Sequence, residues 1–171
     1  LARSWSAALA GIDAARVGVA VHAAGGLPAS GVVGLPDTAV QESKERVKAA
    51  LKYAGFAFPM RRIVVNLAPA DLRKEGPSFD LPIAVGILAA SEQVSTDCLD
   101  DTLFLGELSL DGTLRPVAGV LAIAAAAQKL GIARLIVPVD NSQEAAVVPG
   151  LKVYGCQSIT DVADCLNNLQ D

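Results

Sequence analysis

The sequence is poor in the residues that most often carry chemistry. Among 171 residues there are one histidine and three cysteines, and aromatic residues make up 4%, so few side chains could stack on bases. The cysteines form no CxxC pair and their number is odd, so free thiols in a reducing cytoplasm are expected. No histidines or carboxylates recur at metal-ligand spacing, and Asp97, Asp100 and Asp101 are interpreted as a solvated turn. We therefore predict no metal site.

Long apolar runs and a phosphate-binding loop are also absent. The alanine-rich run at 117–127 is too short to span a bilayer, and the first residues lack the charged start and long apolar stretch of a secretory signal. We therefore expect a cytoplasmic protein that does not contact membranes. The glycine-rich segment at 25–31 has no lysine that could reach a phosphate, so it is interpreted as a turn, and no ATP or Mg²⁺ is expected to bind this chain.

Positive charge is concentrated in one segment. The formal net charge is −4, yet residues 44–74 carry a net charge of +6 and residues 75–171 carry −9. An acidic protein is a poor general binder of nucleic acid, but this uneven distribution could make one face basic. The simpler interpretation is that the excess belongs to the solvated face of a helix and a loop.

Hydrophobic periodicity divides the chain into short strands and helices. Apolar residues between glycines and prolines predict an antiparallel start, and Asp37 or Thr38 can cap the first helix, with Gln41 as the capping-box partner of Thr38. Alternation at 102–117 surrounds Asp111-Gly112, a signal for a two-residue hairpin turn. Other strands are predicted at 2–9, 15–22, 30–34, 61–67, 134–138 and 152–154. Helices are predicted from residue 37 or 38 to 55 and at 79–93, 118–130, 141–147 and 158–169.

These elements are expected to form one domain. No linker, internal repeat or low-complexity segment interrupts residues 1–171. The strand at 61–67 is rich in β-branched residues and is expected to be buried on both faces, and the helix at 79–93 is apolar in nearly every direction. Strands and helices in this order predict an α+β fold, an α/β sandwich of sheet and helices.

Ser78 lies where a loop meets the start of a helix. A hydroxyl at such a position can cap the helix by accepting a backbone N–H, and this is the interpretation that composition favours. It can also act as a nucleophile, but a serine nucleophile needs a base within hydrogen-bond reach. The histidine of the chain, His22, belongs to an early predicted strand and has no evident partner.

Two segments resemble the peptidase domain of the Lon family. They are KEGPSFDLPIAVGIL at 74–88 and GELSLDGTLRPVAGVL at 106–121. Lon-type peptidases carry the catalytic serine in a GPS loop and a catalytic lysine two residues after the glycine that follows their hairpin. The resemblance places the serine at Ser78 and the loop at Lys74, Glu75, Gly76 and Pro77, but it places Leu121 at the lysine position. A serine that faces leucine lacks a general base, so we expect no catalytic residues and a vestigial Ser78.

Nearly the whole chain resembles a second, non-proteolytic group, the Mg-chelatase-like AAA+ ATPases known as YifB or ComM. The resemblance rests on the long collinear segment at 33–90, together with LFLGELSLDGTLRPVAGVLAIAAAA and LIVP. It implies a Lon-like N-terminal domain of the ribosomal-protein-S5 domain-2-like fold that precedes an AAA+ motor. It also implies a bacterial hexamer that handles DNA in recombination or competence, with ATP and Mg²⁺ bound by a motor domain absent from this chain.

The resemblance gives the basic segment a candidate role. In a protein that grips DNA, these cations could contact the phosphate backbone or a neighbouring subunit. We therefore expect a non-catalytic accessory domain whose partners are its own motor, neighbouring subunits of a homo-oligomer and DNA. A serine peptidase, and an oligomerisation module without DNA contact, are the alternatives. The candidate contacts are Lys44, Lys48, Lys52, Arg61, Arg62, Arg73 and Lys74.

Overall fold

A seven-stranded mixed sheet forms the centre of the protein. The computed structural model describes residues 1–10 and 13–169. The strands are β1 Ala2–Ala10, β2 Asp13–Ala24, β3 Ala29–Val33, β4 Arg62–Ala68, β5 Thr102–Phe104, β6 Glu107–Leu108, β7 Leu114–Arg115, β8 Arg134–Pro138 and β9 Lys152–Cys156. The helices are α1 Thr38–Tyr53, α2 Asp80–Ala90, α3 Val120–Ala125, α4 Val139–Ala146 and α5 Ile159–Asn168. The central sheet has the order β3-β4-β2-β1-β5-β8-β9, and β6 pairs only with β7.

The antiparallel part of the sheet is its first half. Strand β1 pairs antiparallel with β2 over the full length of β1, and β4 adds antiparallel to β2. The predicted antiparallel start is thus confirmed for β1 and β2, whereas β3 crosses to the edge and pairs parallel with β4. The second half, from β1 through β5 and β8 to β9, is parallel throughout.

Helices cover the two faces of the sheet unequally. One large apolar cluster joins residues of α1, α2 and α5 to the buried side of β2 and β4. A smaller cluster joins α3 and α4 to β5 and β8 on the other side. This arrangement confirms the predicted α/β sandwich. The second face of β2 and β4 carries exposed residues, among them His22 and Asn66, because α3 and α4 cover only the parallel half.

Helix α2 is the central helix of the larger layer. Every residue from Asp80 to Ala89 is buried, which confirms the prediction of an enclosed helix. The helix approaches the sheet closely at Gly86, where an added Cβ would lie 2.5 Å from Cγ2 of Val21. The Ser4 hydroxyl donates a 2.7 Å hydrogen bond to the carbonyl of Pro82. A glycine and a small serine therefore set the distance between α2 and the sheet.

Several predicted boundaries and turns are wrong. Strand β4 alternates buried and exposed residues instead of being buried on both faces, because no helix covers its second face. Helix α3 ends at Ala125, well before residue 130, and α2 begins only after a 3₁₀ turn, Pro77–Phe79, and ends at Ala90. Strands β6 and β7 form the predicted hairpin around Asp111-Gly112, but residues 109–113 join them, so the turn is longer than the two residues predicted.

The first helix starts with an Asp cap instead of a Thr capping box. The carboxylate of Asp37 accepts a 2.8 Å hydrogen bond from the backbone N–H of Val40. Gln41 turns back to the carbonyl of Pro36, so the predicted pairing of Thr38 with Gln41 is wrong. A second oxygen of Asp37 accepts from the backbone N–H of Gly76 at 3.0 Å. One carboxylate thus caps α1 and holds the loop before Ser78 against it.

Candidate functional site

Ser78 lies in the 3₁₀ turn that precedes α2 and lines a cavity of about 390 Å³. Gly76 begins the turn with a φ of 81°, a conformation that glycine adopts without strain. The carbonyl of Ser78 accepts a hydrogen bond from Gly106, and the carbonyl of Gly106 accepts one from Leu81, both at 3.0 Å. The turn is therefore fixed to the chain between β5 and β6. The cavity walls come from β1, the loop before Ser78 and the start of α3.

The Ser78 hydroxyl does not cap the helix, so the structural role predicted for it is wrong. Helix α2 begins from Phe79, and neither α2 nor the 3₁₀ turn has a side-chain cap. The reason is that the 3₁₀ turn moves the helix start beyond Ser78. The first turn of α2 instead contains the acidic residue Asp80.

Asp80 is the charged centre of this region, and sequence reasoning missed it. Its side chain is fully buried. It accepts hydrogen bonds from the Ser43 hydroxyl at 2.5 Å, from Arg46 Nε at 2.7 Å and from Arg46 Nη2 at 2.9 Å. It also accepts the backbone N–H of Leu108 at 3.0 Å. This bidentate pair raises the pKa of Arg46, chiefly through the hydrogen bond to Asp80. One carboxylate thus ties α1, α2 and β6 together.

Ser78 has no basic partner in the described chain. Within residues 1–10 and 13–169, no hydrogen bond joins its hydroxyl to a basic side chain. Leu121 is 47% exposed and is not among the residues that line the cavity. Ile123 lines the cavity instead, and two residues along a helix correspond to a rotation of about 200°. The side chain at 121 therefore starts from the outer side of α3 and does not face the serine.

Two predicted contact residues beside Ser78 have other roles. Arg73 lines the cavity and forms a 3.2 Å ion pair with Glu75. The side chain of Lys74 is fully buried and donates a hydrogen bond to the carbonyl of Pro69. Burial lowers the pKa of Lys74, and Asp71 acts in the opposite direction. A buried ammonium cannot contact DNA or a partner surface, so Lys74 is not a surface contact as predicted.

Four other predicted cations line one groove. Lys44, Lys48 and Lys52 recur every four residues on α1, and Arg61 lies beside them just before β4. We call this the basic groove. Its volume is about 310 Å³, and its remaining wall consists of Pro28, Ala29, Ser30, Glu45, Phe58, Pro59 and Met60. The Lys48 ammonium lies 5.7 Å from the centre of the Phe58 ring, which places an aromatic face at the floor of the groove.

Arg62 does not belong to the basic groove. It is the first residue of β4 and pairs with Ala24 on one side and with Ala29 on the other. Because successive side chains of a strand point to opposite faces, Arg62 lies on the face that includes exposed Asn66. The structure therefore brings four of the seven predicted contacts together and separates Arg62, Arg73 and Lys74 from them.

The described residues contain neither a metal cluster nor a membrane-spanning helix. Among them, no group of three or more histidine, cysteine, aspartate or glutamate side chains could hold a metal ion. Searched over the same residues, the helices include none that is both long and apolar enough to cross a membrane.

Comparison with known proteins identifies the family. Residues 19–141 match the family model of subunit ChlI of Mg-chelatase. The chain is 46% identical to competence protein ComM of Haemophilus influenzae over 167 residues, which cover 98% of this chain and 33% of the relative. The chain belongs to the Mg-chelatase-like ComM/YifB family. It is also 45% identical to YifB of Escherichia coli over 140 residues, 82% of this chain and 28% of that protein.

A more distant likeness is to Lon protease 2 of Bacillus subtilis. The identity is 28% over 123 residues, which cover 71% of this chain and 22% of the protease. This likeness is compatible with the α/β sandwich and with the Lon-like loop around Ser78. The chain spans about a third of the length of the ComM and YifB relatives it matches.

Proposed function

We propose that this chain is a non-catalytic accessory domain of a ComM/YifB-type AAA+ ATPase and that its basic groove contacts the phosphate backbone of DNA. The observation that carries the proposal is the convergence of Lys44, Lys48, Lys52 and Arg61 on one groove. Among the described residues, none of these four cations forms an ion pair with a carboxylate. Unpaired cations along a groove are what a polyanion of any sequence requires.

The absence of peptidase chemistry is the second part of the proposal. A serine hydroxyl needs a base to remove its proton and an acid to protonate the leaving amine. Arg73 is paired with Glu75, Lys74 donates its hydrogen bond to the carbonyl of Pro69, and Leu121 carries no titratable group. These contacts support the proposal that Ser78 lines the cavity without a general base or acid beside its hydroxyl.

The rest of the proposal concerns the assembly. In a protein about three times as long as this chain, an AAA+ motor would bind ATP and Mg²⁺, and this domain would contact that motor and neighbouring subunits of a hexamer in the cytoplasm. The name of the Haemophilus relative links the family to competence. DNA handling during uptake or recombination is consistent with that link and with the basic groove.

The test is a salt titration of DNA binding. A fluorescent single-stranded oligonucleotide and a branched DNA are titrated with the wild-type domain at several salt concentrations. If four cations displace counterions, log K should fall with log salt with a slope of about −3 for the single strand. The double substitution Lys44→Gln with Lys48→Gln should bring the slope to about −1.4, since roughly 0.7 is lost per phosphate contact.

The matched control removes the same charge elsewhere. Lys129 and Lys152 are exposed and lie outside the basic groove. The substitutions Lys129→Gln and Lys152→Gln should leave the slope unchanged. Equal losses in the two double variants would contradict a groove-specific contact, and no binding of the wild type at low salt would favour an assembly module that does not touch DNA.

The peptidase alternative has its own test. A serine-directed fluorophosphonate probe labels an activated serine and leaves an unactivated one untouched. We expect no label on Ser78 in the wild-type chain, with Ser78→Ala as the background control. Labelling that disappears in Ser78→Ala would overturn the non-catalytic assignment without affecting the DNA-binding test.

Subunit assembly is a second function that a specific observation favours. Leu9 and Leu121 lie about half exposed, and Leu9 packs against the start of α3, where a Cβ added to Gly119 would be 3.0 Å from its Cδ1. Apolar side chains of this kind fit a subunit contact. Sedimentation of the full-length protein should show a smaller assembly for Leu121→Glu. As a control, Leu27→Glu changes an exposed leucine outside this pair and should leave the size of the assembly unchanged.

A further inference from the structure

Two of the three cysteines meet at the end of the sheet. Cys156 is the last residue of β9, and Cys165 lies in the second turn of α5. Only two residues separate β9 from α5, so the helix folds back along the strand. The Ser158 side chain caps α5 by accepting the N–H of Asp161, and the carboxylate of Asp161 accepts the N–H of Gln157 at 3.0 Å. This capped turn places both thiols beside one groove.

Cys156 and Cys165 line one groove and differ in accessibility. Cys156 is buried, whereas Cys165 is half-buried and, with Cys156, lines an open groove at this end of the protein. Asp161 and Asp164, the carboxylates that line the same groove, are both on α5. One thiol can therefore be reached from solvent, whereas the other is buried in the wall of the same groove.

The two thiols also differ in their pKa values. The hydrogen bond from Cys156 lowers the pKa of Cys165 to about 7, although the partial burial of Cys165 opposes this effect. The same hydrogen bond, followed by burial, raises the pKa of Cys156. At neutral pH the accessible sulfur is thus the better nucleophile, and the buried sulfur keeps its proton.

We propose that Cys165 is a peroxide-reactive thiol and that Cys156 resolves its oxidised form, so that the two residues form a reversible disulfide between β9 and α5. The Cys165 thiolate attacks one oxygen of hydrogen peroxide, the O–O bond breaks, and the sulfur becomes a sulfenic acid while the released hydroxide takes a proton to form water. The Cys156 sulfur then attacks the sulfenic sulfur. An S–S bond forms, and the departing hydroxide leaves as a second water with the proton of Cys156.

The electron balance is closed by the peroxide. Two thiols lose two electrons and two protons, and one hydrogen peroxide molecule is reduced to two water molecules. Thiol–disulfide exchange with a small dithiol reverses the reaction. The proposal does not depend on DNA binding or on the peptidase question, because it rests on the contact between β9 and α5 alone.

The experiment is peptide mapping after a brief treatment of the folded protein with hydrogen peroxide. Remaining thiols are blocked with N-ethylmaleimide before digestion. We expect a linked pair of peptides that contain Cys156 and Cys165, a link that dithiothreitol removes, and a Cys98 that is blocked rather than oxidised. Cys165 recovered as sulfenic or sulfinic acid without the link, or all three cysteines recovered as maleimide adducts, would overturn the proposal.

Two variants keep the result interpretable. Cys98→Ala should form the same link as the wild type, since Cys98 is on a different segment and is buried. Cys156→Ala should form no link, and its Cys165 sulfenic acid should be trapped by dimedone. In that variant, alkylation of Cys165 by iodoacetamide at pH 7 should slow by roughly tenfold, because the hydrogen bond that favours the thiolate is lost. An unchanged alkylation rate would contradict the pairing of the two thiols.

Discussion

The Ser78 cavity and the basic groove both contain cations from the segment at 44–74, but the surroundings of these cations differ between the two regions. At the cavity, Arg73 is paired with Glu75 and Lys74 is buried against Pro69. At the basic groove, Lys44, Lys48 and Arg61 stand in solvent with only Glu45 among them. The cations beside the cavity are thus either paired at the surface or buried, whereas those of the groove have no carboxylate partner among the described residues.

A buried ion pair joins the two regions, in addition to the Asp37 carboxylate that holds the loop before Ser78 against α1. Helix α1 carries the basic groove on its outer side and Arg46 on its inner side. There, Arg46 forms an ion pair with Asp80 of α2. The turn that holds Ser78 directly precedes Asp80. The position of the groove relative to the cavity therefore depends on the bond between Arg46 and Asp80, and this bond is the most effective place to disturb both.

The largest expected effect follows from Asp80→Asn. The substitution leaves Arg46 without its carboxylate and leaves a buried amide beside Ser43, so unfolding should become easier by about 3 kcal/mol. For a domain of this size the Tm should fall by roughly 10 °C. Thermal melting followed by circular dichroism measures it.

A matched control tests whether Arg46 needs that particular carboxylate. Glu42 also approaches Arg46, at 3.5 Å, but its side chain is exposed. Glu42→Gln should therefore change the free energy of unfolding by less than about 0.5 kcal/mol. If the two substitutions destabilised the protein equally, the buried pair would not be what joins the two regions.

A smaller effect should separate two adjacent arginines. Arg61 lines the basic groove and Arg62 lies on the opposite face of the sheet. Arg61→Gln should weaken binding of single-stranded DNA by roughly five- to tenfold at low salt, since one phosphate contact is lost. Arg62→Gln removes the same charge from the neighbouring position and should change binding by less than about twofold. Fluorescence anisotropy at one low salt concentration compares them.

A third arginine variant tests whether DNA contacts the Ser78 cavity. Arg73→Gln removes an exposed cation that already has a partner in Glu75. It should resemble Arg62→Gln and not Arg61→Gln. If Arg73→Gln weakened DNA binding as strongly as Arg61→Gln, the DNA path would run over the Ser78 cavity, and the division between the two regions would be wrong.

Periodicity located most elements because the apolar residues that form the core also set the pattern. The strand at 134–138 and the enclosed helix α2 are clear in sequence, because each is a run of mostly apolar residues that is stable only in the protein core. The short α3 was predicted too long. Its alanines continue the helical pattern to residue 130, but the chain turns after Ala125 to reach β8.

The site was less predictable because it depends on which face of a strand each residue occupies and on which side chains the fold buries. The sequence predicts a surface position for Lys74 because lysine is rarely buried. Only the tertiary structure provides the Pro69 carbonyl that accepts a hydrogen bond from its ammonium. Arg61 and Arg62 separate because β4 begins between them. Asp80 follows the motif residue Ser78 by two positions, and a carboxylate in an otherwise apolar helix was the signal that could have revealed it.

The smallest expected effect concerns the position where the Lon resemblance places a lysine. Leu121 is 47% exposed and lies outside the cavity, so Leu121→Lys should alter the free energy of unfolding by less than about 0.5 kcal/mol. The new ammonium would extend into solvent from the outer side of α3, and Ser78 should remain unlabelled by a fluorophosphonate. Ile123→Lys is the contrasting variant: Ile123 is buried and lines the cavity, so this substitution should destabilise the protein clearly more than Leu121→Lys does. Labelling of Ser78 in Leu121→Lys would mean that the cavity still accepts an amine from this position. The proposed absence of peptidase chemistry would then depend on a single side chain.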